Sequence, residues 1–237
     1  MKAVLKKLRP YVFGGQQVAH RDALVFEFLA RQPEGSMLLD AGAGPQRFKP
    51  HCKHLRYVSQ DFGEYTGGDE FAGESLERWN SRTCDIICDI TSIPLETGSQ
   101  DAIICVEVLE HLPEPARALK EFARLLRSRG RLLVTAPFNS QYHQQPFFFY
   151  SGFSSEFYKF HAAAHRLKVM TITPIGDYFA TIAQELLRLP FLKSGVLLRL
   201  AAAVLLPPAY LYVWLLHALR VPSPSSPLCY VVELEKD

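Results

Sequence analysis

The sequence predicts an α/β domain built on a doubly wound, mostly parallel sheet. Three observations predict it. Short apolar runs alternate with amphipathic stretches from residue 18 to residue 136. A glycine loop, Asp40-Ala41-Gly42-Ala43-Gly44, follows the first apolar run. An acid closes four of the runs in turn: Asp40, Asp61, Asp89 and Glu107.

The chain has 237 residues, enough for one such domain with a substantial insertion. Residues 18–30 read as an amphipathic helix, with Ala23, Phe26, Phe28 and Leu29 interrupted by Arg21, Asp22 and Glu27, and Pro33-Glu34-Gly35 ends it. Residues 37–39 form a short run that is apolar on both faces, as a buried parallel strand is. Further strands are expected at 55–59, 85–88 and 102–106. A helix then starts at Pro113 and reaches about Leu126, Ser128-Arg129-Gly130 caps it, and 131–136 is the fifth strand. After Pro137 the texture changes. Residues 143–158 are dense in aromatics, a helix is expected at 155–165 and a sixth strand at 169–173. Residues 183–219 are strongly apolar, and a stiff connector at 222–227 leads to a closing strand at 229–235. The expected division is a basic segment and helix at 1–35, a core of 36–182 with 228–237, and an apolar helical insertion at 183–227.

Composition narrows the function. Lys and Arg number 26 against 24 Asp and Glu, so nothing in the overall charge points to nucleic acid. Cys52, Cys84, Cys88, Cys105 and Cys229 lack a zinc-ribbon spacing and read as buried thiols in a reducing compartment. The basic start at residues 1–10 has no apolar core of a signal peptide and reads as solvated. The expected location is therefore cytoplasmic.

Open α/β sheets bind ligands at the carboxyl ends of their strands, and four acids in register there suit a ligand edge better than four separate helix caps. The glycine loop lets backbone approach a ligand closely. Dinucleotide sites generally need a third glycine, and Arg47 stands there instead.

With Asp40-Ala-Gly-Ala-Gly44, Asp61, Ile90-Thr-Ser-Ile-Pro94, the stretch from Asp101 through Glu107-Val-Leu-Glu110-His111 and Leu125-Leu-Arg-Ser-Arg-Gly-Arg-Leu-Leu-Val134, the sequence resembles the class I S-adenosylmethionine-dependent methyltransferases. The resemblance covers roughly residues 36–175 and the final strand. It implies a Rossmann-like, seven-stranded sheet with an antiparallel last strand, and S-adenosylmethionine as cofactor. It also implies roles for single residues. Asp40, Gly42 and Gly44 would wall the methionine part of the cofactor, and Asp61 would accept both ribose hydroxyls. Asp89 and Ile90 would bracket the adenine, and Glu107 would lie between cofactor and acceptor. Gln46 departs from the glycine that many members carry.

The reaction implied moves a methyl group from a sulfonium to a nucleophile in line, so positioning does most of the work. A hydroxyl acceptor would also need a base, for which His111 and His143 are the candidates. The spacing Glu107-x-x-Glu110-His111 is similar to one that binds a divalent ion in small-RNA and ubiquinone-pathway methyltransferases. Glu-His after this strand is widespread without a metal, and the favoured reading assigns none. The aromatic stretch suits either an acceptor platform or a packed lid.

Residues 196–219 tempt a membrane-spanning reading. Arg199 and His217 lie inside them, Pro207-Pro208 is expected to break them into two half-helices, and the last strand must return to the sheet. The expectation is peripheral contact of 184–222 with the inner face of a membrane, where Arg188, Lys193, Arg199 and Arg220 would meet headgroups; a helical subdomain or dimer interface would bury the same leucines. The acceptor expected is small or lipid-linked, in glycan or cell-surface biosynthesis, with no nucleic acid. The alternatives are a non-catalytic partner subunit of the same fold and a nucleic-acid methyltransferase.

Overall fold

A computed structural model describes residues 13–65, 81–189, 195–221 and 226–237. The basic start at residues 1–10, Lys193 and residues 222–225 of the connector lie outside the described residues, as do the side chains of Arg188 and Arg199. The elements in chain order are α1 (Phe13–Ala30), β1 (Met37–Ala41), β2 (Arg56–Asp61), β3 (Ile86–Ile87), β4 (Gln100–Val106), α2 (Pro115–Leu125), β5 (Leu126–Pro137), α3 (Ser155–Ala164), β6 (Leu167–Ile175), α4 (Tyr178–Arg188), α5 (Val196–Ala218) and β7 (Cys229–Lys236).

The strands form one seven-stranded sheet in the order β3-β2-β1-β4-β5-β7-β6, with only β7 running antiparallel to its neighbours. This is the expected Rossmann-like arrangement. Its chain order reverses between β1 and β4, which places a ligand crevice at their carboxyl ends. Paired apolar residues explain why the sheet is covered on both faces. Leu39, Ile103, Leu132 and Val232 enter one core with Phe122 of α2 and Tyr158 of α3. Their neighbours Leu38, Ile104, Leu133 and Val231 enter the opposite core with Val25, Phe28 and Leu29 of α1. Successive strand residues point to opposite faces, so continuous apolar runs require helices on both sides.

The glycine loop leads through turns to a short 3-10 helix, Lys49–His51, which has a proline in its first positions. Pro45 and Pro50 and the short distance to β2 leave no room for a longer helix. Two expectations are corrected. Ser128-Arg129-Gly130 does not cap α2; β5 begins directly at Leu126, and these residues form an irregularity in the β4–β5 pairing with Arg129 at φ 60°. Finally, Pro207 and Pro208 do not divide α5, which runs unbroken for 23 residues. Proline's ring fixes φ near the helical value, so each proline removes one backbone hydrogen bond while the helical backbone continues through it.

Helices α4 and α5 pack as an antiparallel hairpin. Phe179, Ala180 and Ala183 meet Val213 in a small core of their own. Asp177 caps α4 by accepting the Ala180 N–H at 2.8 Å, and its other oxygen accepts from His217 Nδ1 at 2.8 Å. That one carboxylate ties the start of α4 to the last turn of α5.

Candidate active site

Asp40, Gly42, Gly44, Asp61, Asp89, Ile90, Glu107, His111 and His143 all line one cavity of about 1110 Å³ at the carboxyl ends of the strands. The loop after β1 is wrapped onto the end of β2. Gly42 (φ 74°) and Ala43 each donate their N–H to the Gln60 carbonyl at 2.9 Å. Asp61 finishes the wrap: its Oδ2 accepts from Gly44 N–H at 2.9 Å and its Oδ1 from Gly63 N–H at 3.0 Å. A carboxylate oxygen has two lone pairs, so each oxygen of Asp61 keeps one more for a ligand hydroxyl. Gln46 takes φ 55°, a conformation that favours glycine, and its amide donates to the Thr83 carbonyl at 3.0 Å. The departure at this position therefore keeps the glycine-like backbone and directs the side chain to Thr83.

Asp40 is 2% exposed and accepts the Tyr57 hydroxyl at 2.6 Å. Burial pushes its carboxyl from 3.8 up to about 6, against the pull of that hydroxyl and of Arg47. The folded chain thus holds this proton more tightly than the unfolded chain does. The stabilising contribution is complete below the unfolded value and is lost as pH rises through about 6. Asp40→Asn cannot ionise, so its stability relative to the wild type should rise between about pH 4 and about pH 7.5, by roughly 3 kcal/mol at most. Urea unfolding at the two pH values checks this, and an equal offset at both would contradict it.

On the next strand end, Glu107 sits at φ 57°. Its Oε1 accepts the Thr135 hydroxyl at 2.8 Å and its Oε2 pairs with Arg21 at 3.1 Å. Arg21 is 8% exposed and also bonds Asp22, which Arg47 meets at 3.1 Å. Burial alone would weaken the arginine's charge, but Glu107 and Asp22 more than offset it. Sequence reasoning read Arg21 only as a polar interruption of α1. The available signal was its place four and seven residues before Val25 and Phe28, on the buried face. Asp89 is exposed and accepts the Thr91 N–H at 2.8 Å, while Ile90 beside it is buried. Their loop is held by α2, where Glu121 accepts Ile93 N–H at 2.8 Å and Arg124 donates to the Leu95 carbonyl at 2.9 Å.

The two histidines come together across the cavity, with ring centroids 4.9 Å apart at 83°. His111 Nδ1 lies 2.6 Å from the Phe147 carbonyl, which can only accept, so Nδ1 carries the proton. Burial, with a contribution from His143, lowers the His111 pKa to about 4. A group that weakly basic is a poor general base near neutrality. His143 is the better placed of the two: it is half-buried in the loop after β5, with Nδ1 held 2.7 Å from the Gln141 carbonyl. The aromatic stretch divides in two. Phe147 and Phe149 line the cavity, and Phe147 packs edge-on against Phe62 at 4.8 Å, whereas Phe153 and Tyr158 belong to the core.

Residues 39–134 match the family model of a methyltransferase domain. The matched stretch holds the glycine loop, Asp61, Asp89 and Glu107, so these strand-end residues of the cavity all fall within it. The methyltransferase domain is 32% identical over 114 residues to Probable tRNA methyltransferase 9B of Mus musculus, spanning 46% of this chain and 24% of that protein. It is 31% identical over 113 residues to tRNA (carboxymethyluridine(34)-5-O)-methyltransferase ALKBH8 of Mus musculus, spanning 46% of this chain and 16% of that protein. The match therefore takes in less than a quarter of either relative's length. In fold, the domain is similar to the 1,6-didemethyltoxoflavin-N1-methyltransferase of Burkholderia thailandensis, solved with 1,6-didemethyltoxoflavin and S-adenosylhomocysteine bound. The TM-score is 0.52 and the identity 14%, covering 93% of this chain and 78% of that one.

The residues present fit S-adenosylmethionine. A backbone cradle at Gly42 leaves no space for a Cβ, and Asp61 keeps acceptor capacity on both oxygens. A buried apolar residue, Ile90, stands beside Asp89. The cofactor would supply the activated methyl group, and the chain's own residues would hold it, orient it and exclude water.

Proposed function

We propose that this methyltransferase takes its acceptor from a membrane surface and that the acceptor is small or lipid-linked, as intermediates of cell-surface glycans are. One observation carries the reading. Gln184 and Leu187 of α4 line the same cavity as Asp61 and His143, while α5, packed on α4, presents apolar side chains to solvent. Val204 is 73% exposed, Leu205 66% and Leu211 61%, and Trp214 and Leu215 are exposed beside them. Over Leu200–Ala218 the mean hydropathy is 1.6 and only 6% is buried. An exposed apolar surface of this extent marks an interaction site.

Topology favours lying on the membrane over crossing it. Helix α5 is long enough to span, at about 35 Å, but α4 at about 17 Å is too short to cross in the other direction. In this reading the hairpin rests on or dips into one leaflet, and the cavity opens beside it.

Full-length protein is expected to float with vesicles containing anionic lipid, and Leu205→Gln/Leu211→Gln/Trp214→Gln to reduce the bound fraction at least tenfold. Failure of the wild type to float would overturn the reading, as would undiminished flotation of the triple variant. A dimer in solution that the same substitutions dissociate would assign the surface to a second copy instead. The tRNA methyltransferase names of the two relatives favour a second reading, an RNA acceptor. The near balance of 26 basic and 24 acidic residues weighs against extensive phosphate contact. Transfer of a labelled methyl group to tRNA, but not to membrane lipid extract, would select that reading.

A further inference from the structure

We propose that a pocket at the amino ends of the strands binds a phosphate-bearing small molecule through arginines of α1 and β5. The pocket has a volume of about 300 Å³ and lies on the sheet edge opposite the cavity that holds Asp61. Arg31 enters it from the end of α1, and Arg127, Arg129 and Arg131 from the start of β5. Ser36, just before β1, also lines it. That residue is 7% exposed, and its hydroxyl has no hydrogen-bond partner among the described residues.

Three of the arginines are held from behind by acids. Arg31 pairs with Glu233 at 2.6 Å, Arg127 with Asp101 at 2.7 Å and Arg131 with Glu235 at 3.0 Å. The acids are 13, 17 and 24% exposed and their arginines 59, 60 and 39%, so the guanidinium is the outer partner in every pair. Asp101 is further engaged, with its other oxygen accepting the Met37 N–H at 2.6 Å. A guanidinium carries five N–H donors, and one ion pair leaves most of them for a second anion. Arg129 has no ion pair among the described residues, so four arginines meet three acids and one positive charge is left over.

The backbone gives an independent sign that the Arg129 side chain is used. Its φ is 60°, in the left-handed region that favours glycine. A Cβ at neighbouring Gly130 would fall 2.9 Å from the Arg127 carbonyl oxygen and 3.2 Å from that of Gln100. The irregularity in the β4–β5 pairing is thus pressed against β4, which fixes where Arg127 and Arg129 emerge. Strain of this kind persists where the side chain serves a purpose that glycine could not.

Guanidinium groups match the oxygens of a phosphate in pairs, and a pocket of this volume is at the small end of those that hold metabolites. Lipid headgroups and an RNA backbone offer the same chemistry. Headgroups are out of reach in the membrane reading, because α4 lines the cavity at the other edge of the sheet.

The test is the phosphorus-31 linewidth of inorganic phosphate titrated with full-length protein, at an ionic strength held constant with chloride. Saturable broadening is expected. Arg129→Gly removes no ion pair and suits the left-handed backbone, so it should weaken binding at least tenfold without lowering Tm. The control is Arg117→Gln, which removes an exposed charge from the other end of α2 and should leave binding unchanged. No broadening by the wild type, undiminished broadening by Arg129→Gly, or an equal loss in Arg117→Gln would each overturn the site. Binding to tRNA or to anionic vesicles that depends on Arg129, without any broadening of phosphate, would give the arginines to a polymer or a headgroup and overturn it too. The titration needs neither cofactor nor membrane, so its failure would leave methyl transfer and its acceptor standing.

Discussion

Gly42→Ala is expected to weaken S-adenosylhomocysteine binding at least 100-fold and to lower the stability of the domain by about 2–5 kcal/mol. A Cβ at this position would fall 2.5 Å from Val108 Cγ2 and 2.8 Å from Cγ1, in a backbone at φ +74°. Left-handed backbone costs an alanine about 1–2 kcal/mol, and overpacking a tight contact adds about 1–3 kcal/mol. Relief of the overlap would move either the glycine loop or the Glu107–Val108 turn, and both line the cavity. Gly35→Ala separates the two costs, because its φ is +78° with nothing within 4 Å of the added Cβ. It should lose only the backbone part and bind ligand as the wild type does. Adding Val108→Ala to Gly42→Ala removes both crowding methyls and should recover a measurable part of the affinity. Thermal melts and calorimetry on the four proteins check the set.

The second large effect is expected at Asp61. Its two oxygens hold the N–H groups of Gly44 and Gly63, and it is 7% exposed. Asp61→Ala strands both donors, each worth about 1–3 kcal/mol when left unpaired, and removes the two remaining acceptor positions. Asp61→Asn keeps one acceptor oxygen and replaces the other with a donor, so it should preserve one side of the wrap and lose the other. Stability should therefore fall in the order wild type, Asn, Ala. Affinity for the cofactor product should fall in the same order, by at least tenfold and then at least 100-fold.

The sheet and its ligand edge were legible because both depend on local regularities. Pairs such as Leu38-Leu39, Ile103-Ile104 and Leu132-Leu133 declare strands buried on both faces, and acids after four of those runs declare an edge. What could not be read depends on where the chain goes between elements. Arg21 meets Glu107 only because α1 lies across the strand ends, a contact between residues 86 positions apart. His143 joins Glu110 because its loop folds back and bonds to the Glu110 carbonyl. Pro207-Pro208 is a strong local breaker in sequence, yet the flanking turns of α5 continue through it.

The acids at these strand ends, with the glycine loop wrapped on Asp61, are assigned to the cofactor pocket. Calorimetric titration of full-length protein with S-adenosylhomocysteine, run in parallel on the wild type and Asp61→Asn, tests it most directly. One site per chain is expected in the wild type, and at least tenfold weaker binding in the variant. A wild type that gives no binding, or a variant that binds as tightly as the wild type, would contradict it.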